Sequence, residues 1–302
     1  MVTYHTYTPP APLSAYVERI WLHEESAQPH PQERALPTGR PALWIDLGGD
    51  GLRATAQVDP CHMWAFPTSV LLGAHSRWFL VEAGRHISRM GVIFKPGGAA
   101  PFFAPPASEL HGTHVPLEAL WGRCDAEEVR ERLSAETTPE ARFHTLERFL
   151  LTRLARETSR GATHNDTPHP AVARALRALL RAPKPRTIAQ VVDESGLSHR
   201  QFIAVFRREV GMSPKVFYRL RRFLDVVYRA RETDRVAWAE MALACGFYDQ
   251  SHLAHDFSEF AGVSPTTYLR LRDPSSPTYL PFAPGAAHEL QELQAHHLPA
   301  SA

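Results

Sequence analysis

The chain has 302 residues, of which 44% are hydrophobic and 22% charged, and its 33 Lys plus Arg against 32 Asp plus Glu leave a formal charge of +1. This is the composition of a folded water-soluble chain long enough for two domains, and it excludes collagen-like, coiled-coil and wholly disordered readings. No run approaches the roughly 18 consecutive apolar residues of a membrane helix, and Met1-Val2-Thr3-Tyr4-His5 opens no basic-then-apolar leader, so a cytoplasmic protein is expected. Cys61, Cys124 and Cys245 are odd in number and widely spaced. They fit a reducing compartment, and neither a disulfide framework nor a zinc finger.

In chain order, short β-type runs lie at Arg19 to His23, Pro41 to Leu47, Val70 to His75, Arg77 to Glu82 and His86 to Lys95, separated by Gly and Pro signals. Helical patterns follow at Pro116 to Trp121, Asp125 to Ser134 and Pro139 to Arg156. The expected fold class is α+β in two domains, with a β-rich sandwich or barrel-like N-terminal domain and trailing helices over 1–158. A polar linker is expected over 159–170, an all-α domain over 171–272 and a mobile tail over 273–302.

The near-zero net charge conceals a division. Residues 168–272 hold 17 basic and 10 acidic side chains, a surplus of seven, whereas residues 1–167 hold 16 and 19, and the tail has three acids and no Lys or Arg. A basic segment of this size is the expected footprint of phosphate binding, although a solvated basic surface would look the same.

That segment contains an internal repeat with a period near 51: Phe202 recurs as Leu253, Phe206 as Phe257, Gly211 as Gly262 and Ser213-Pro214 as Ser264-Pro265. Each copy reads as helix, tight turn, helix. Thr187, Ser198 and Asp249 are natural N-caps, Gly196 and Gly246 mark the turns, and Gly211 and Gly262 end the second helices. Phe202, Phe206, Leu253 and Phe257 form the apolar arcs, which leaves an outer arc on each second helix. Between the copies a helix-compatible stretch from Pro214 to Arg231 is about 27 Å long, enough to hold the two units roughly one DNA turn apart.

On Gly196-Leu197-Ser198, Phe202, Phe206, Gly211 and Ser213-Pro214, then Ala242, Gly246-Phe247, Asp249-Gln250-Ser251-His252-Leu253, Phe257, Gly262 and Ser264-Pro265, the segment resembles the DNA-binding domain of the AraC/XylS family of transcription regulators. The resemblance covers about a third of the chain. It implies a sequence-specific regulator of promoter DNA, with base-reading and phosphate-binding side chains on the second helix of each unit. These are Ser198, His199, Arg200, Gln201, Ile203, Ala204, Arg207 and Arg208 in the first, and Gln250, Ser251, His252 and His255 in the second. Arg200 suits a guanine edge, Gln201 or Gln250 an adenine edge, and Arg207 and Arg208 phosphates. Where the family often places Arg or Lys, this chain has Ala204 and His255, and no Lys or Arg occurs from Val236 to Leu269. RNA polymerase is an implied partner if the output is activation.

The stretches from Gly91 to Ala100, Pro106 to Leu110 and Val115 to Gly122, with Pro37-Thr38-Gly39-Arg40 and Leu43 to Leu47, are similar to an N-terminal domain of unassigned ligand found in one AraC-type subgroup. That domain implies effector binding, homodimerisation, or both. Candidate effector residues are Trp44, Trp64, Phe66, Trp78 and Phe94, with Asp46, His75 and Arg77 as polar anchors; for each Trp singly, packing in a core is the simpler role.

No enzyme, cofactor, metal site or membrane association is expected. His111-Gly112-Thr113-His114 is the closest histidine pair, with no carboxylate motif or cysteine cluster beside it. Pro60-Cys61-His62 resembles the nucleophile triplet of DNA alkyl-transfer repair proteins, but the Arg expected next is Met63. A DNA-targeted alkyl-transfer enzyme and a ligand-free dimeric regulator are the alternative readings. The His-x-His of cupin barrels, a phosphate loop and a nucleophile-elbow motif are absent from the sequence.

Overall fold

A computed structural model of the chain describes residues 2–25, 32–49, 51–56, 59–66, 68–82, 87–159, 169–181, 187–231, 233, 235–273, 276 and 278–282. The N-terminal half is built on two antiparallel sheets. The first contains β1 (Val2–Tyr7), β2 (Val17–Glu25), β4 (Ala42–Asp46), β7 (Ser69–Leu72), β9 (Ile87–Phe94) and β10 (His114–Pro116), in the order β1-β2-β9-β4-β7-β10. The second contains β3 (Gln32–Ala35), β5 (Leu52–Ala56), β6 (Asp59–Phe66), β8 (Phe79–Glu82) and β11 (Tyr279–Pro281), in the order β11-β3-β8-β5-β6.

The first sheet is covered on both faces, and the two-residue period of its strands decides which side chain goes where. Ile20, Leu22, Leu43, Ile45, Leu71 and Met90 point to one side, against Trp121, Val129, Leu133 and Leu146. Those partners come from α2 (Leu117–Trp121), α3 (Arg123–Ala135) and α4 (Pro139–Ser159), which follow the short α1 (Ala107–Leu110). The alternate residues Trp21, Trp44, Val70 and Leu72 point to the other side and pack with Leu52, Phe66, Phe79 and Val81 of the second sheet. Burial on both faces is why these strands read as near-continuous apolar runs.

The C-terminal half is helical: α5 (Pro170–Arg181), α6 (Ile188–Asp193), α7 (His199–Val210), α8 (Pro214–Ala230), α9 (Trp238–Ala244), α10 (Gln250–Ala261) and α11 (Pro265–Leu271). Phe202, Phe206, Phe223, Leu253, Phe257, Phe260 and Tyr268 form its core. The helical expectations for residues 116–156 and the two helix-turn-helix units hold to within a few residues. The expected linker falls mostly on residues 160–168, outside the described residues.

The expected mobile tail is corrected in one place. After α11 the chain returns to the N-terminal half, where Tyr279, Leu280 and Pro281 pair with Ala35, Arg34 and Glu33. Leu280 is buried in the same core as the helices, together with Leu36 and Ala74 of the N-terminal half. The charge-poor, Pro-rich composition after residue 273 hides this strand, because its partner lies more than 240 residues earlier.

Candidate nucleic-acid interface

Each unit of the repeat is fixed locally by caps. Thr187 and Gln190 form a reciprocal capping box at the start of α6, and Ser198 and Gln201 form one at the start of α7. Gln201 N–H donates to Ser198 Oγ at 3.4 Å, while Ser198 N–H and Oγ–H both donate to Gln201 Oε1, at 3.1 and 2.7 Å. In the second unit His252 N–H donates to Asp249 Oδ1 at 2.7 Å. α7 ends at Gly211 with φ +93° and α10 at Gly262 with φ +66°, the left-handed conformation that favours glycine.

On α7, Phe202, Phe206 and Val210 are buried while His199, Arg200, Gln201, Ala204, Arg207 and Arg208 are exposed and Ile203 is half-buried. At 100° per residue, Arg200, Ala204, Arg207 and Arg208 share one outer arc, with Gln201 at its edge. On α10, Gln250, Ser251 and His255 are exposed, and the positions equivalent to Arg200, Ala204, Arg207 and Arg208 are Ser251, His255, Ser258 and Glu259. Gln201 carries a structural duty that its position alone does not reveal: its Oε1 is spent on the cap, which leaves its amide N–H groups for any partner. His252 is half-buried, its ring edge-on to Phe247 at 5.4 Å and its Nδ1 accepting from Tyr248 N–H at 3.4 Å.

Of the acids of α10, Asp256 faces inward onto α8, and Glu259, at the margin of the outer arc, bends to the same arginine of α8. Asp256 is only 2% exposed. Arg219 Nη2 and Nε reach Asp256 Oδ1 at 2.7 and 3.2 Å, and Arg222 Nη2 reaches Oδ2 at 3.2 Å. Arg219 also binds the Glu259 carboxylate, and these bonds hold its guanidinium further above its ordinary pKa. Arg222 Nη1 donates to Gly246 O at 2.8 Å and its guanidinium stacks on Phe247 at 4.5 Å, tying the α9–α10 turn to α8. His255, Asp256 and Glu259 gather ligand-type atoms within 4.8 Å of one another, but both carboxylates serve Arg219, so the cluster is an ion-pair network. Sequence reasoning did not find Arg219 and Arg222. The available signal was Asp256 itself, which the wheel places on the apolar arc of α10, where a carboxylate needs a charged partner.

The N-terminal half grips the C-terminal ends of both outer helices and leaves their outer arcs exposed. Ala74 and Ala107 lie against Gly211: a Cβ there would stand 3.4 Å from Ala74 Cβ and 3.0 Å from Ala107 O. Trp78 lies against Gly262, where a Cβ would meet the indole at 2.2 Å. Arg34 Nη1 donates to Ala261 O and Gly262 O at 3.2 and 3.0 Å while its guanidinium stacks on Trp78 at 4.5 Å. The Glu209 carboxylate accepts from His169 N–H at 2.9 Å, and burial raises its pKa.

The eight effector candidates do not surround one space. Trp44 is in the core between the sheets, 6.1 Å from Trp21, and Phe66 is buried there too. Phe94 is on the opposite face of the first sheet with Phe102 and Phe103. Asp46 ends β4 and holds the turn that follows, its Oδ2 accepting from Gly49 and Gly51 N–H at 2.9 Å each. Trp64 is 47% exposed beside His62, Arg77 is exposed, Trp78 holds Gly262, and His75 is buried against Phe79 and His114. Two small depressions, one between Pro41, Phe103 and Leu110 and one between Arg174, Val191 and Ser195, each hold about 10 Å³, space for about one water molecule. Cys61 lies on β6, and its side chain falls outside the described residues.

Residues 191–271 match a family described as a helix-turn-helix domain, and residues 5–116 match one described as a domain of unknown function, DUF6597. Over 82 residues the chain is 31% identical to the probable transcriptional regulator LumQ of Photobacterium leiognathi, a match spanning 27% of this chain and 33% of that protein. Among solved structures it is similar to ToxT from Vibrio cholerae, with 11% identity and a TM-score of 0.47 over 88% of this chain and 98% of that one. A ToxT structure with bound unsaturated fatty acid gives 10% identity and a TM-score of 0.47 over 83% and 94% of the two chains.

Proposed function

We propose that the chain is an AraC-type, sequence-specific regulator of transcription that reads promoter DNA with α7 and α10, a reading supported by the match of residues 191–271 to a helix-turn-helix domain family. The observation that carries this reading is the pair of outer arcs, exposed on two capped helices whose opposite arcs are buried in one core. α7 supplies Arg200 for a guanine edge and Arg207 and Arg208 for phosphates, with Ser198, His199, Ile203 and Ala204 along the same groove wall. α10 supplies Gln250, Ser251, His252 and His255. With Asp256 and Glu259 turned onto Arg219, it presents a nearly neutral polar arc. The electrostatic share of binding therefore falls on α7 and the two half-sites are read by different chemistry.

The N-terminal half is the regulatory and assembly module in this reading, taking a small effector, a second copy of the chain, or both; an activating output would engage RNA polymerase. No catalytic step is part of it. The test is a pair of substitutions measured by footprinting and titration at matched salt. Arg200→Ala is expected to weaken specific binding by about 1 to 3 kcal/mol and relax preference at one base pair, whereas Arg207→Ala lowers affinity for all sequences and flattens the salt dependence. An unchanged preferred site in Arg200→Ala would overturn the docking of α7.

A further inference from the structure

The two units of the repeat differ by one residue in the turn, and that residue is Tyr248. In the first unit Gly196 is followed by Leu197 and then by Ser198, the cap of α7; in the second Gly246 is followed by Phe247 and Tyr248 before Asp249, the cap of α10. The shorter turn joins its helices without this position, so the extra residue is not needed to make the connection. What it adds is a side chain. Tyr248 is 85% exposed, the most exposed large hydrophobic residue among the described residues, and among them its hydroxyl has no hydrogen-bond partner.

The backbone that carries this side chain is fixed. Gln201 and His252 stand third in their helices, and each accepts a backbone N–H from the turn before it: Gln201 Oε1 from the cap Ser198 at 3.1 Å, and His252 Nδ1 from Tyr248 at 3.4 Å. The added residue thus takes the place of the cap in one half of a capping box, while Asp249 Oδ1 keeps the other half by accepting from His252 N–H at 2.7 Å. On the other side Phe247 is buried, stacked by the Arg222 guanidinium that also holds Gly246 O. An aromatic side chain on a turn already ordered gives up little backbone freedom when it meets a ligand.

Its place decides which ligand. In helix-turn-helix docking the N-terminal end of the second helix enters the major groove, so the residue before the cap stands at the groove's rim, where the phosphates run. α7 has Arg207 and Arg208 for phosphates, but no Lys or Arg occurs from Val236 to Leu269, and α10 needs an uncharged donor for the same task. Tyrosine hydroxyls are among the side-chain donors that proteins use on phosphate oxygens. Resting on the reading of α7 and α10 given above, we propose that Tyr248 is a DNA contact: its hydroxyl donates to a backbone phosphate flanking the α10 half-site, and its ring packs on the adjoining deoxyribose. The contact anchors α10 without adding charge.

The probe for the test is a duplex selected from random sequence by the full wild-type chain, its two half-sites assigned by footprinting wild type and Arg200→Ala. Tyr248→Phe, which removes only the hydroxyl, is expected to bind it about tenfold more weakly, with the salt slope unchanged because no cation is lost. Tyr248→Ala should lose more. Replacing phosphates one at a time by neutral methylphosphonates should weaken wild type at one position beside the α10 half-site and leave Tyr248→Phe indifferent there. Equal affinity of Tyr248→Phe and wild type would overturn the contact while the wild-type footprint leaves the reading of the two helices standing. A loss that no methylphosphonate position reproduces, the mark of a base contact, would overturn the phosphate assignment, and a lowered melting temperature in Tyr248→Phe would overturn it in favour of a packing role. If selection enriches no sequence at all, the reading itself fails and the contact with it.

Discussion

Arg34 donates to the carbonyl of Gly262 at 3.0 Å and so joins the edge region of the N-terminal second sheet to the left-handed glycine that ends α10. The same nitrogen reaches Ala261 O, and the guanidinium lies over Trp78. The last carbonyls of a helix have no partner within it, and here a residue more than 220 positions away supplies the donor. Arg34→Ala is expected to lower stability by about 2 kcal/mol, from the lost hydrogen bonds and the lost stacking. It should also speed hydrogen exchange at residues 258–263. Arg34→Lys should recover only part, because an ammonium cannot reproduce the flat stack on Trp78 while serving two carbonyls. A melting temperature equal to wild type in both variants would show that the contact contributes nothing.

Asp256 is the buried anion on which Arg219 and Arg222 converge. Removing one partner of a buried pair leaves the other charge uncompensated, so Asp256→Ala should cost about 3 kcal/mol or more by denaturant unfolding. Arg219 then keeps only Glu259, so in a double-mutant cycle Arg219→Leu should cost less in the Asp256→Ala background than in the wild type. Strict additivity of the two substitutions would contradict the coupling.

The outer arc of α10 lacks a cation, so adding one has a readable effect. His255→Arg should raise affinity for DNA of any sequence and steepen the salt dependence by about one phosphate contact. Salt titrations of wild type and variant on a non-specific duplex measure it. An unchanged slope would mean that α10 does not lie near the phosphates.

Cys245 is buried, and that burial pushes its thiol up to about 11, whereas Cys124 is exposed at the start of α3. Because the thiolate is the reactive form, an alkylating reagent at pH 8 should label Cys124 in the folded protein and reach Cys245 only on unfolding. Peptide mapping over a time course distinguishes the two, and equal rates in the native protein would contradict the described packing.

Residues that act locally were readable from the sequence, and residues that act across the chain were not. Ser198, Gly211, Asp249 and Gly262 stand where capping chemistry places them, and the arcs of α7 and α10 follow from helical period alone. By contrast, β3 is the four residues Gln32-Glu33-Arg34-Ala35, too short and too polar to show a strand period. It exists because β8 on one side and β11 on the other supply its hydrogen bonds. The aromatic residues grouped as an effector set share a type and not a location: the two-residue period sends Trp44 to one face of the first sheet and Phe94 to the other.

The returning strand β11 also bears on how the protein is made. Residues 279–281 are translated after the whole helical half, so until then the β3 edge of the second sheet stands open, and an open edge is a template for pairing with another chain. A fragment that stops before residue 276 would carry that edge permanently. The β3 edge is therefore covered late in synthesis, by a three-residue strand that becomes the new edge, and dissecting the protein at its linker would expose a strand that residues 279–281 pair with in the intact molecule.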